Sequence, residues 1–289
     1  MFIVNPKSGK GTIRSKLLDI VDIFIKAEFD LSLYISQAAG DARKKTEEKS
    51  GDYDLIVCSG GDGTLDEIIS GLMSCGGKCA VGYIPCGSTN DFARSLQLPT
   101  VMTDAAERIT RWNEFQCDVG YFNDDYFVYI AAFGLFTDVS YATSQDLKNI
   151  LGHLAYILEG MMKLADIKSY KMKISSAELT TEGEFIYGMV TNSTSVGGFA
   201  NITGKNVQLD DGVFEVTLVR TPVDIMELSE IITAAASGKP DDKYFYQFTT
   251  SDITFESEEE IPWTQDGEFG GSHQEVHIRN GMKTVRLLV

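Results

Sequence analysis

The chain has 289 residues, 43% of them hydrophobic, which is enough for real cores in one large or, as we expect, two ordinary domains. Its 42 acidic residues against 25 basic ones give a formal net charge of -17, which excludes a broad grip on nucleic acid because phosphates would be repelled. Five cysteines (Cys58, Cys75, Cys79, Cys86, Cys117) and three histidines complete no zinc pattern and no disulfide framework, so reduced thiols in a cytoplasmic protein are expected. The opening Met1-Phe2-Ile3-Val4 lacks the basic start and apolar stretch of a secretory signal, and no window of ~18 apolar residues predicts a membrane span.

Short apolar runs alternate with helical segments up to about residue 115. Phe2-Ile3-Val4 reads as a strand, and Ile13, Leu17, Leu18, Val21, Phe24 and Ile25 fall at helical spacing within 12–26. Then come a strand at 31–35, a charged helix at 41–49, a buried strand at 55–58, a helix at about 65–73 and a strand at 79–84. This rhythm predicts an α/β domain with a mostly parallel sheet, covering 1–117. Beyond Cys117 the runs at 126–130, 185–190, 213–219 and 276–278 are aromatic and β-branched, and predict antiparallel strands of a second, β-rich domain over 118–289. One long amphipathic helix, carrying Leu147, Ile150, Leu151, Leu154, Ile157, Leu158, Met161 and Leu164 on one face, is expected to pack on it, and Glu258-Glu259-Glu260 reads as a solvated turn.

Candidate chemistry lies in the loops that follow the first domain's strands. Ser59-Gly60-Gly61-Asp62-Gly63-Thr64-Leu65 stands between a buried strand and a helix, at the carboxyl end of a strand where open α/β sheets bind ligands. Its glycines let the backbone approach a phosphate, the helix offers free N–H groups, and Asp62 makes sense beside Mg²⁺. Asp66 and Glu67, in the first helical turn, read as complements to the helix dipole. Pro85-Cys86-Gly87-Ser88-Thr89-Asn90-Asp91-Phe92 repeats the arrangement after the next strand, with Ser88 and Thr89 suited to phosphate oxygens and either Asn90 or Asp91 suited to capping the helix. Asn5-Pro6-Lys7-Ser8-Gly9-Lys10-Gly11 makes a third loop at the same edge, where Lys7 and Lys10 could add positive charge. No Walker loop, dinucleotide fingerprint, nucleophile elbow or zinc-protease motif occurs.

Taken with Asp266-Gly267-Glu268 far downstream, these three loops resemble the bacterial diacylglycerol kinase-like lipid kinases from residue 1 to the final strands. The resemblance implies a first domain with the nucleotide-binding fold of NAD kinases and phosphofructokinases, a second of β-sandwich type, and an active site in the cleft between them. It implies Asp266 as catalytic base, and Asp62, Asp91 and Glu268 in a Mg²⁺-ATP network. Ser36, Ser59, Gly60, Gly61, Gly63, Thr64, Leu65 and Ser88 would complete the nucleotide contacts. A second, structural Mg²⁺ would be held by Gln208, Asp211 and Val213, with Asp210 as an extra carboxylate; Gly197-Gly198 is also similar. Cys86 and Gln265 depart from the usual pattern and leave the key carboxylates intact.

The expected reaction is ATP-dependent phosphorylation of a lipid hydroxyl, most simply diacylglycerol to phosphatidic acid, by an enzyme peripheral at the inner membrane surface. Lys148, Lys163 and Lys168 are the candidate docking charges on an otherwise acidic protein. NAD kinase is the alternative that shares the first glycine loop only, and a catalytically silent lipid- or nucleotide-binding module is the other. The sequence leaves the oligomeric state open, a homodimer being one option.

Overall fold

A computed structural model describes residues 1–135, 167–196, 199–200, 207–237 and 241–289. The expected long helix, with Lys148 and Lys163, and Gly197-Gly198 lie outside the described residues. The chain divides into two compact units, Met1–Val119 with Gly281–Val289, and Gly120–Asn280.

The first unit holds β1 (Phe2–Val4), α1 (Ile13–Lys26), β2 (Leu33–Ile35), α2 (Asp41–Lys49), β3 (Leu55–Gly60), α3 (Asp62–Cys75), β4 (Ala80–Pro85), α4 (Asp91–Ser95) and α5 (Met102–Thr110). Its strands are parallel, in the order β2-β1-β3-β4. β3 and β4 are buried along their whole length, which is why they read as unbroken apolar runs. Phe2, Val4, Ile20, Phe24, Val57, Ile84, Ala106 and Ile109 make the core, with α1 and α5 packed together. Because all four strands run the same way, their following loops gather at one edge.

The chain leaves the first unit between Val119 and Gly120, and its tail crosses back. The last nine residues return to the first unit, where Leu287 and Leu288 pair in parallel with Val81 and Gly82. Both side chains are buried, and Leu288 joins the core, so apolar burial draws the tail back. The turn is fixed by Asp118, wholly buried, whose Oδ1 accepts the Lys283 amide at 2.7 Å.

The second unit takes up β5 (Glu114–Phe122) from Gly120 onward, then β6 (Asp125–Phe127), β7 (Ile130–Gly134), β8 (Tyr170–Ser176), β9 (Thr180–Thr191), the short pair β10 (Ser195–Val196) and β11 (Phe199–Ala200), β12 (Phe214–Arg220), α6 (Ile225–Ser237), β13 (Phe245–Thr250), β14 (Asp252–Gln265) and most of β15 (Glu268–Leu288). The expected sandwich is instead a sheet that closes on itself. β9 pairs with β8 through residues 180–185 and with β7 through 187–191, while β14 pairs with β8 through 253–257 and with β7 through 263–265. Two strands of 12 and 14 residues are long enough to turn from one neighbour to the other, which closes the ring β7-β9-β8-β14. Phe122, Phe133, Phe185, Phe214, Phe255 and Trp263 fill it, with Phe133 and Trp263 rings 4.9 Å apart.

Glu258-Glu259-Glu260 is exposed as expected but lies within β14, not in a turn. There the register with β15 jumps from Glu256↔Glu275 to Ile261↔His273, a bulge that leaves the like charges in water. α6 was missed by periodicity, although Asp224 and Glu227 form a capping pair, the Glu227 amide meeting Asp224 Oδ1 at 2.8 Å.

Candidate active site

The first unit's loops are tied to one another by short contacts. The Asn5 amide donates to Ser59 O at 2.8 Å and the Cys86 amide to Gly60 O at 2.8 Å, so β1, β3 and β4 leave the sheet in step. Asn5 Nδ2 reaches Thr64 Oγ1 at 2.9 Å and joins the first loop to the second. The glycines are required by approach: a Cβ on Gly9 would stand 2.4 Å from Cys86 O, and one on Gly87 would stand 2.6 Å from Gly61 Cα. Three loop backbones therefore touch where any side chain would part them.

α3 begins at Asp62, three residues earlier than expected, so Asp62, Gly63 and Thr64 form its first turn and place the positive end of a 14-residue helix there. Asp62 is buried, and its carboxylate serves the neighbouring loop: Oδ2 accepts the Asp91 amide at 3.0 Å and Oδ1 the Phe92 amide at 3.4 Å. The expected cap from Asn90 or Asp91 is thus supplied from across the site. Asn90, in the left-handed region at φ 51°, closes its own loop by accepting the Gly87 amide at 2.9 Å and donating to Gly87 O at 3.0 Å. Tyr83, which the sequence reading passed over, carries its hydroxyl 3.4 Å from both Asp62 Oδ1 and Asn90 Oδ1. A tyrosine in an otherwise apolar strand just before the loop was the available signal.

The remaining nucleotide candidates divide by exposure. Ser88 is exposed, and Gly61 and Gly63 are partly so. Ser36 is buried at the end of β2, its amide 3.0 Å from Val4 O. Ser59 and Leu65 are buried, the former beside Cys86 Sγ at 3.4 Å, so they can offer a ligand backbone only. Lys7 and Lys10 are exposed in the first loop. Glu67 does not complement its own helix but caps α2, accepting the Gly40 and Ala42 amides at 2.9 and 3.0 Å. Burial holds the thiols of Cys58 and Cys86 above the ordinary range, which keeps them protonated and unreactive.

In the second unit Asp266 and Gly267, at φ 49° and 88°, form a two-residue hairpin between β14 and β15, with Gln265 paired to Glu268. The turn does more than reverse the chain. The Asp266 carboxylate is 3% exposed and accepts three amides: Val128 at 2.6 Å, Tyr129 at 2.9 Å and Ile130 at 2.9 Å. The strand expected at 126–130 is broken there, and the three freed amides hold the carboxylate. Glu268 and Phe269 beyond it are exposed.

At the expected structural metal site, the Val213 amide donates to Asp211 Oδ1 at 3.2 Å, and Gly212 turns the chain at φ 83°. Gln208 is exposed, and among the described residues no cluster of three or more metal-binding side chains occurs. The donor set fits a hard cation through one carboxylate and backbone carbonyls. Glu215, the second residue of β12, adds to the fit: its Oε2 is buried without a hydrogen-bond partner, and burial, with Asp211 nearby, pushes its carboxyl up to about 7.

Residues 1–122 match the family model of the diacylglycerol kinase catalytic domain. The chain is 32% identical to a diacylglycerol kinase of Staphylococcus carnosus, covering 99% of this chain and 97% of the relative. It is 31% identical to one of Bacillus subtilis, covering 93% and 89%. A solved structure of a diacylglycerol kinase from Bacillus anthracis superposes with a TM-score of 0.77 at 26% identity, covering 99% and 95%. The loops that interlock in the first unit are the ones within the matched catalytic domain, and the chain belongs to the bacterial diacylglycerol kinase family and is a lipid kinase.

Proposed function

We propose that the chain transfers the γ-phosphoryl group of ATP to the free hydroxyl of diacylglycerol, giving phosphatidic acid, at a membrane surface. The observation that carries this reading is the interlocked set of loops at one sheet edge, with two helix N-termini held together by Asp62. Such an edge, rich in amide donors and open at Ser88 and Gly63, suits the phosphates of a nucleotide. The second unit supplies Asp266 as the general base.

Each residue has a separable part. The backbone of 60–65, with Ser36 and Ser88, holds ATP. Asp62 keeps the 87–91 loop in register with its neighbour. Asp266 accepts the proton of the lipid hydroxyl as that oxygen bonds to the γ-phosphorus and the bond to the ADP oxygen breaks. Three amides fix its carboxylate in one orientation, and its burial keeps bulk water from competing as the acceptor. Mg²⁺, held through Asp62, Asp91 and Glu268, would neutralise phosphate charge. The 208–213 turn, with Gln208, Asp211 and Val213, would hold a second cation that stabilises the fold.

Asp266→Asn tests the assignment. It keeps the size of the side chain, and the account expects nucleotide binding to survive while turnover falls by ~10²–10⁴. Turnover equal to the parent's would remove Asp266 from the base position.

A further inference from the structure

A lipid kinase must reach the surface where its acceptor lies, and among the described residues no helix is long and apolar enough to cross a membrane. At a net charge of -17, the average surface is repelled by an anionic bilayer. Contact must then be local, and it need not be basic.

From the end of β12 into the first turn of α6 the segment Thr221-Pro222-Val223-Asp224-Ile225-Met226 presents Val223, Ile225 and Met226 at 74%, 64% and 73% exposure. Its single charge, Asp224, is committed to capping α6. Glu227, one turn on, accepts the Val223 amide at 3.0 Å and pairs with Arg220 at 2.9 Å, while Lys243 lies 3.6 Å from both Glu227 and Glu230. Arg220 and Lys243 also sit 5.0 and 4.6 Å from the Tyr244 ring centre. The charges at the base of the segment thus neutralise one another and brace it. Leu228 and Ile231 are buried, so α6 packs through that face and leaves Ile225 and Met226 of its first turn, with Val223 just before it, in water. Three adjacent apolar side chains above a neutralised, rigid base suit insertion into hydrocarbon, not attraction to charged headgroups.

We infer that the 223–226 tip docks this kinase on a lipid bilayer by apolar insertion. The choice of a bilayer as occupant rests on the lipid-kinase reading, which requires the protein to meet an acceptor held in one.

The test is sedimentation of the full chain with neutral phosphatidylcholine vesicles at low and high salt, without ATP, alongside turnover of a short-chain, monodisperse diacylglycerol. Binding needs no turnover, so failure of docking and failure of the kinase reading are told apart. The parent should bind at both salt concentrations, and a triple variant carrying Val223→Ser, Ile225→Ser and Met226→Ser should lose at least about tenfold in partitioning. Short-chain turnover should stay within about twofold, and Leu18→Ser, at a different exposed apolar position, should bind like the parent. Independently of that variant's folding, Met226→Trp should show a blue shift and quenching by brominated lipid beyond the parent's. A parent that does not bind neutral vesicles or is stripped by salt, a triple variant that binds undiminished or changes only self-association, or an unshifted Met226→Trp emission would each overturn the inference.

Discussion

Asp62 and Asp266 treat the backbone alike: each is a buried carboxylate, followed in sequence by a glycine, that receives amides of a distant segment. For Asp62 the amides open α4, so Asp62→Ala should cost about 1–2 kcal/mol, as loss of a helix cap does, and should also weaken ATP binding by loosening the 87–91 loop. Denaturant melts and a nucleotide titration on the same variant check both, and a variant as stable and as tight as the parent would contradict the account. Glu215 offers a pH test. Burial pushes its carboxyl up to about 7 from the ordinary 4.5, so between these values the folded chain holds a proton that the unfolded chain has released. That stabilisation is full below 4.5 and is lost as the pH rises through 7. In metal-free buffer, Glu215→Gln should therefore gain on the parent across this window, and parallel stability curves would remove the buried-carboxyl reading.

At the scale of elements, the glycines sort by what surrounds them. Gly87→Ala puts a methyl 2.6 Å from Gly61 Cα, where two backbones meet, and should cost about 1–3 kcal/mol and impair nucleotide binding. Gly40→Ala, at φ 81° with nothing within 4 Å, should cost about 1–2 kcal/mol from backbone strain alone and leave binding untouched. Thermal melts with and without ATP separate the two. The parallel strands and the loops after them were legible because doubly buried strands leave unbroken apolar runs, and because glycine, aspartate and asparagine mark backbone positions that other residues fit poorly. Partners across the chain were not legible. Nothing in Asp62-Gly63 says that its carboxylate caps a helix 29 residues away, and nothing in Asp266-Gly267 names 128–130 as its cradle. Ring closure escaped for a similar reason, since alternation predicts a strand but not that one strand serves two neighbours.

Across the whole molecule, the chain passes from the first unit to the second at 119–120 and returns at 280–281, so the three glycine loops and Asp266 fall in different units. Near the outward crossing the composition shifts at Cys117 from alternating apolar runs and helices to aromatic and β-branched runs. The return was hidden, because Val285, Leu287 and Leu288 look like the end of any strand, and only the pairing of Leu287 with Val81 shows which sheet they complete. The proposed reaction requires the glycine loops of the first unit and the Asp266 hairpin of the second to act together. The most direct measurement incubates the purified chain with Mg²⁺ and γ-labelled ATP, with diacylglycerol in mixed micelles in one arm and NAD⁺ in the other, and separates the products by chromatography. The account predicts label in phosphatidic acid, none in a nucleotide product, and loss of that label in Asp266→Asn; label on NAD⁺, or on neither acceptor with folded protein, would contradict it.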